Sequence, residues 1–192
     1  MLRIGVLALQ GSFAEHLRML ARVDDTIGLP VRTRDELAQV DGLILPGGES
    51  TAQARLLRDF DLLNDLEERI GDGLPVWGTC AGLILLAKNI IGEACHLGLM
   101  AVTVRRNAFG RQTDSFRRQI SLPAVSPQPI DLVFIRAPWI EQIQFPAEAL
   151  ATVDGHIVAA RQGLMLGTAF HPELTGDPAF HRYFADMVRA NC

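Results

Sequence analysis

The sequence is poor in the features that would send it to a membrane, to nucleic acid or to an oxidising compartment. Among its 192 residues are three cysteines, Cys80, Cys95 and Cys192, an odd count with no C-x-x-C pair. That excludes a disulfide framework and a structural zinc site, and no metal is expected. There is no excess of basic charge: 18 Lys and Arg stand against 22 Asp and Glu, for a net charge of −4, so nucleic acid is not an expected partner. No apolar run reaches the length of a membrane span, and no signal-like segment precedes the strand pattern that begins at Leu2. Repeats, low-complexity tracts and linkers are also missing. The expectation is a cytoplasmic protein with reduced thiols, without membrane contact, folded as a single domain over 1–192. Its hydrophobic content of 48% and charged content of 21% are ordinary for such a chain.

What is present is an alternation of strand and helix patterns, the mark of an α/β protein. Leu2–Leu9 is apolar almost throughout, as a central parallel strand would be. Ser12 is placed to cap a helix carrying Phe13, Leu17, Leu20 and Ala21 on one face. Val31–Arg34 and Asp41–Leu45 read as the next strands, and Ser50 as the cap of the helix that follows. Helical spacing continues through Leu56, Leu57 and Phe60, then Leu62, Leu63, Leu66 and Ile70, until Gly71-Asp72-Gly73 stops it. Ala101–Val104 and Asp131–Ile135 read as strands, and 122–130, with three prolines, as a surface loop. Val153–Val158 is expected to be a hairpin turning at Asp154-Gly155. Asp177-Pro178 opens a closing helix. His16 is expected at the surface or an interface without a chemical role, His156 in a turn, and His181 exposed.

Two stretches carry chemistry. In Leu74–Lys88, an apolar strand meets Gly78-Thr79-Cys80-Ala81-Gly82 and then an apolar segment of helical length. Glycines on both sides of a nucleophile between strand and helix form a nucleophile elbow, and a thiol there sits at a helix N-terminus that favours thiolate. Spacing alone leaves a second reading, a buried cysteine beside helix-packing glycines. The second stretch is His171-Pro172-Glu173 after the strand Met165–Phe170. Proline biases the preceding residue toward extended geometry, so Glu173 is expected alongside His171, accepting a ring N–H and fixing which nitrogen faces the nucleophile. Elsewhere, Pro46-Gly47-Gly48 reads as a turn or as a close approach of backbone to ligand. Arg105 and Arg106 read as carboxylate holders or as a solvated turn.

Together these motifs resemble the class I, or triad, glutamine amidotransferases. Leu9-Gln10-Gly11, Leu45-Pro46-Gly47-Gly48-Glu49-Ser50-Thr51, Arg106-Asn107-Ala108-Phe109-Gly110-Arg111-Gln112, Phe134-Ile135-Arg136-Ala137-Pro138 and Phe170-His171-Pro172-Glu173-Leu174-Thr175 narrow the resemblance to the glutaminase subunits of pyridoxal 5'-phosphate synthases. The likeness runs from Leu2 to the final helix. Two departures, Ala52 in place of a second threonine and Arg105 in place of an acidic residue, leave Cys80, His171 and Glu173 untouched.

The resemblance implies a three-layer, flavodoxin-like α/β fold with a mostly parallel sheet, and hydrolysis of L-glutamine to glutamate and ammonia through a thioester. In that reading Cys80 is the nucleophile, His171 manages protons and Glu173 orients it. The oxyanion would be held by backbone N–H groups of Ala81 and Gly48, in the Gly47-Gly48 turn. Gly47, Gly48, Glu49, Arg106, Ile135 and Arg136 would contact glutamine, with Arg106 the first choice for its α-carboxylate. No cofactor is implied. The implied partner is a (β/α)8 pyridoxal 5'-phosphate synthase subunit in a large hetero-oligomer, with the Gln10 region and first helix as part of the docking surface. Rival readings are a glutaminase subunit of histidine or purine synthesis, and a redox protein that keeps the elbow cysteine. The Arg-Asn-x-Phe-Gly-Arg-Gln motif argues against the first, and the His-Pro-Glu unit against the second.

Overall fold

In a computed structural model the described residues are 1–108 and 115–192. The part of the Arg106–Gln112 motif from Phe109 onward lies outside them. The chain runs β1 (Leu2–Leu7), α1 (Phe13–Leu20), β2 (Thr26–Val31), α2 (Arg34–Leu37), β3 (Gly42–Leu45), α3 (Ser50–Asp59), α4 (Leu63–Gly71), β4 (Val76–Thr79) and α5 (Ala81–Leu86). It continues as β5 (Ala87–Ile90), β6 (Met100–Arg105), β7 (Ser115–Ile120), β8 (Ile130–Ile135), β9 (Trp139–Ile143), β10 (Glu148–Val153), β11 (His156–Gln162) and β12 (Met165–Thr168). A 3-10 turn, Pro172–Leu174, and α6 (Ala179–Arg189) complete it.

The main sheet has the order β2-β1-β3-β4-β12-β11-β9-β6-β5, with β10 beside β11. Strands β2, β1, β3, β4 and β12 run parallel to one another. They form the mostly parallel core, and antiparallel pairings of β12, β11, β9 and β6 extend it. β3 and β4 are buried on both sides, as parallel strands covered by helices must be. Consecutive residues of β4 show both covers: Trp77 packs against Phe180 and Phe184 of α6, while Gly78 lies against Gly82 of α5. Chain order places β2 and β3 on opposite sides of β1. The crevice past the carboxyl ends of β1 and β3 is therefore a topological switch point, where open α/β sheets bind ligands.

Local differences from the sequence expectation have local causes. The second strand is Thr26–Val31, not Val31–Arg34. Pro30 is tolerated there because β2 is an edge strand. Thr33 instead caps α2 in a capping box with Glu36. The elbow helix ends at Leu86, because Ala87–Ile90 pairs in parallel with β6. Glu49, not Ser50, caps α3, accepting the Ala52 N–H at 2.8 Å. His156 is the first residue of β11, and its ring stacks on Trp139. Among the described residues no helix is long and apolar enough to cross a membrane.

Candidate active site

The β4–α5 junction is a sharp elbow. Cys80 has φ 49° and ψ −99°, positive φ without the ψ of the left-handed helix, a strained backbone of the kind that concentrates at functional sites. Small neighbours make the turn feasible: a Cβ on Gly82 would collide with the Leu45 carbonyl of β3. Cys80 is 7% exposed and opens into a cavity of about 280 Å³ at the switch point.

β12 delivers His171 to the same cavity. His171 Nδ1–H donates to Glu173 Oε1 at 2.8 Å, which leaves Nε2 for Cys80, the ring's other hydrogen-bond partner. The pairing is as expected, but the backbone is not. Pro172–Leu174 is a 3-10 turn, so Glu173 comes alongside His171 by tight winding and not by extended alternation. Ser12 Oγ–H donates to the same Oε1 at 2.7 Å. Ser12 therefore begins α1 without capping it through its side chain.

The electrostatics suit an imidazolium beside an ionised carboxylate. Burial opposes a charge on His171, but hydrogen bonding and charge at Cys80 and Glu173 outweigh it and raise the imidazole pKa to about 10. Burial likewise opposes ionisation of Glu173. The neighbouring His16 and His171 and the Ser12 hydroxyl overcome it and hold the carboxyl at about 2.

Gly48, Glu49, Ala81, Arg106, Ile135 and Arg136 line the cavity together with Cys80 and His171. Gly47 stands just behind, where a Cβ would strike the His171 ring. Glu173 is shielded from the cavity by His171. The Gly47-Gly48 turn is tied to the end of β1: Ser12 N–H donates to the Gly47 carbonyl at 3.0 Å, and Glu49 N–H to Gln10 Oε1 at 3.0 Å. Gln10 thus faces the site, at the end of the sheet where the sequence placed it. Arg106 meets Glu49 at 2.7 Å and Glu93 at 3.0 Å. Burial works against the Glu49 charge, yet the Ala52 and Thr51 N–H groups and Arg106 keep its carboxyl below its ordinary range. Arg105 is turned away, paired with Glu141.

Eight residues at or behind the site were not legible as site residues in the chain. Gln10, Ser50, Ile84 and Asn107 also line the cavity. Ser12, His16, Thr79 and His181 lie behind the triad. Contrary to expectation, His16 and His181 are both completely buried, 0% exposed and 2.9 Å apart. Helical spacing on α1 and α6 carried no sign that two polar residues would meet. Among the described residues no group of three or more His, Cys, Asp or Glu side chains could hold a metal ion.

The comparisons agree with this geometry. The chain is 54% identical over 191 residues to pyridoxal 5'-phosphate synthase subunit PdxT of Streptomyces coelicolor, covering 98% of this chain and 94% of that one. It is 50% identical over 189 residues to the subunit of the same name from Ruminiclostridium cellulolyticum, covering 98% and 100%. A crystal structure of a glutamine amidotransferase superposes with a TM-score of 0.90 at 41% identity, over 97% of this chain and 98% of that one. PurLQS from Thermotoga maritima shares the fold, with a TM-score of 0.70 at 15% identity and full coverage of both chains. Residues 6–190 match the family model, and the chain belongs to the SNO glutamine amidotransferase family.

Proposed function

We propose that this chain is the glutaminase subunit of a pyridoxal 5'-phosphate synthase, working in the cytoplasm as one domain over 1–192. It hydrolyses L-glutamine to glutamate and ammonia. The ammonia passes to a (β/α)8 synthase subunit, on which the chain assembles in a large hetero-oligomer, for vitamin B6 synthesis. The observation that carries the reading is the line Cys80–His171–Glu173 ending at a cavity walled by Gly48, Glu49, Arg106, Ile135 and Arg136. Identity of 50% or more with the PdxT subunits over nearly the whole chain supports the pathway.

In this mechanism the Cys80 thiolate, paired with the His171 imidazolium, attacks the side-chain amide carbon of glutamine. The carbonyl electrons move to oxygen, and the backbone N–H groups of Ala81 and Gly48 hold the oxyanion. As the tetrahedral centre collapses, His171 gives its Nε2 proton to the amide nitrogen and ammonia leaves, with a thioester remaining on Cys80. His171 then takes a proton from water as the water attacks the thioester; the C–S bond breaks and glutamate departs. Glu173 keeps Nδ1 protonated throughout and stabilises the imidazolium. Arg106 takes the α-carboxylate of the substrate, exchanging part of its pairing with Glu49 and Glu93, and Glu49 is then free to meet the α-ammonium group. Ile135 and Arg136 line the same cavity. These steps use water and no cofactor.

The test is glutamate release by the purified chain, with and without a pyridoxal 5'-phosphate synthase subunit, beside Cys80→Ala. Release that appears with the synthase and disappears in the variant is the expected result. Release indifferent to the synthase would remove the partner and keep the glutaminase. No release above the variant's level, with binding confirmed, would remove both.

A further inference from the structure

The oxygens of Glu173 are unequally served. Oε1 takes two short hydrogen bonds, from Ser12 and His171. Oε2 is buried and without a hydrogen bond, and the ring nitrogen His16 Nε2 lies 3.4 Å from it. An ionised oxygen left this way in the interior is costly unless a neighbouring dipole faces it. The same Nε2 lies 3.2 Å from Thr79 Oγ1, on the residue directly before Cys80. On the other side of the ring, His16 Nδ1 is 2.9 Å from His181 Nε2.

The tautomers follow from this arrangement. Were His16 protonated on Nδ1, its Nε2 lone pair would face the lone pairs of an ionised carboxylate. With the proton on Nε2, the N–H bonds Thr79 Oγ1 and turns its positive end toward Oε2. His16 Nδ1 is then an acceptor and requires an N–H from His181 Nε2. His181 Nδ1 is left as a bare buried acceptor, in keeping with its lack of a partner. Trp77 holds both rings edge-on, at centroid distances of 5.6 Å and 5.0 Å. The charged and titratable groups around the pair are Glu15 on α1, His171 and Glu173.

We propose that His16 and His181 are positioning residues for the glutaminase triad: His181 fixes the tautomer and orientation of His16, and His16 links the inner oxygen of Glu173 to the elbow strand at Thr79. α1 then grips both carboxylate oxygens, Oε1 through Ser12 and Oε2 through His16. The carboxylate cannot rotate, and His171 stays aligned with Cys80. The inference rests on the triad reading given above. It goes beyond it by extending the line two imidazoles into the core, away from the substrate.

The experiment compares His16→Leu, His16→Gln and His181→Phe with the wild-type chain in complex with the synthase subunit, reading kcat, KM and the pH profile of kcat/KM. His16→Leu removes the N–H, whereas His16→Gln keeps a donor. His181→Phe keeps a ring against Trp77 but takes away the hydrogen bond to His16. His16→Leu should lower kcat about tenfold or more, the size expected for losing a polar contact to a buried charge, and leave KM unchanged because neither histidine reaches the cavity. The acid end of the profile should move toward higher pH, since Glu173 becomes harder to ionise. His16→Gln should restore most of both, and His181→Phe should shift them in the same direction by less. If His16→Leu fails to fold, His181→Phe decides alone. Folded variants that melt earlier but keep the wild-type kcat and pH profile would overturn the inference and leave the pair as core packing. A wild-type complex without Cys80-dependent release would instead overturn the triad reading beneath it.

Discussion

Ser12 and Glu173 lie 161 positions apart in the chain and meet through a 2.7 Å hydrogen bond from the serine hydroxyl to Oε1 of the carboxylate. The first helix is thereby fastened to the residue that orients the base. Ser12→Ala should cost about 1.5–3 kcal/mol of stability at neutral pH, the range for a hydrogen bond to a charged group, and should lower kcat more than it changes KM. Urea unfolding and steady-state glutamate release measure the two effects. Wild-type values for both would show that the contact carries nothing.

Stability should depend on pH through the same carboxylate. Glu173 has a folded pKa of about 2 against an ordinary 4.5, so its contribution is complete above about 4.5 and disappears as pH falls through about 2. His171 has a folded pKa of about 10 against 6.5. Its contribution is complete below about 6.5 and is lost as pH rises through about 10. Glu173→Gln removes the first group and one of the two charge partners of the second, so urea midpoints plotted against pH should flatten at both ends, more at the acid end. Unchanged slopes at both ends would contradict the assignment.

Cysteine modification should separate the three thiols. Cys80 is buried in the cavity, while Cys95 and Cys192 are exposed. With iodoacetamide, saturating glutamine should slow alkylation of Cys80 and leave the other two at their free rates. Peptide mass spectrometry reads each site separately. Equal protection of all three, or of none, would mean that glutamine does not occupy this cavity.

Arg106 should matter for substrate binding and much less for turnover. Its guanidinium spans Glu49 and Glu93 from a half-buried position, a planar fork suited to a carboxylate. Arg106→Lys keeps the charge but loses the fork, and KM for glutamine should rise about tenfold, as for one lost charge-assisted hydrogen bond. A fall in kcat at constant KM would place Arg106 in the chemistry instead.

The parts of the site that were legible share one property: their signal is local. Gly78-x-Cys80-x-Gly82 announces an elbow because the turn needs small residues within two positions of the nucleophile. His171-Pro172-Glu173 announces an orienting pair because the two side chains belong to one short segment, although that segment winds as a 3-10 turn where an extended one was expected. The β1, β3, β4 and β12 strands were readable as apolar runs, as buried parallel strands are. Edges were less readable: β2 slipped by several residues, and β5 took the tail of an apolar run that looked helical.

The sequence by itself determined the alternation of strands and helices, the nucleophile at its elbow, the His-Glu pair and the glycine turn after β3, since each arises from residues within a few positions of one another. Only the tertiary structure decided that Ser12, His16, Thr79 and His181 would surround Glu173, and that Glu93 would share Arg106 with Glu49. Those contacts join α1, β4, α6 and the loop after β5, elements that sheet order brings together across most of the chain. A histidine on a helix looks the same in sequence whether its face meets water or a buried carboxylate. Its burial is set by what packs against it.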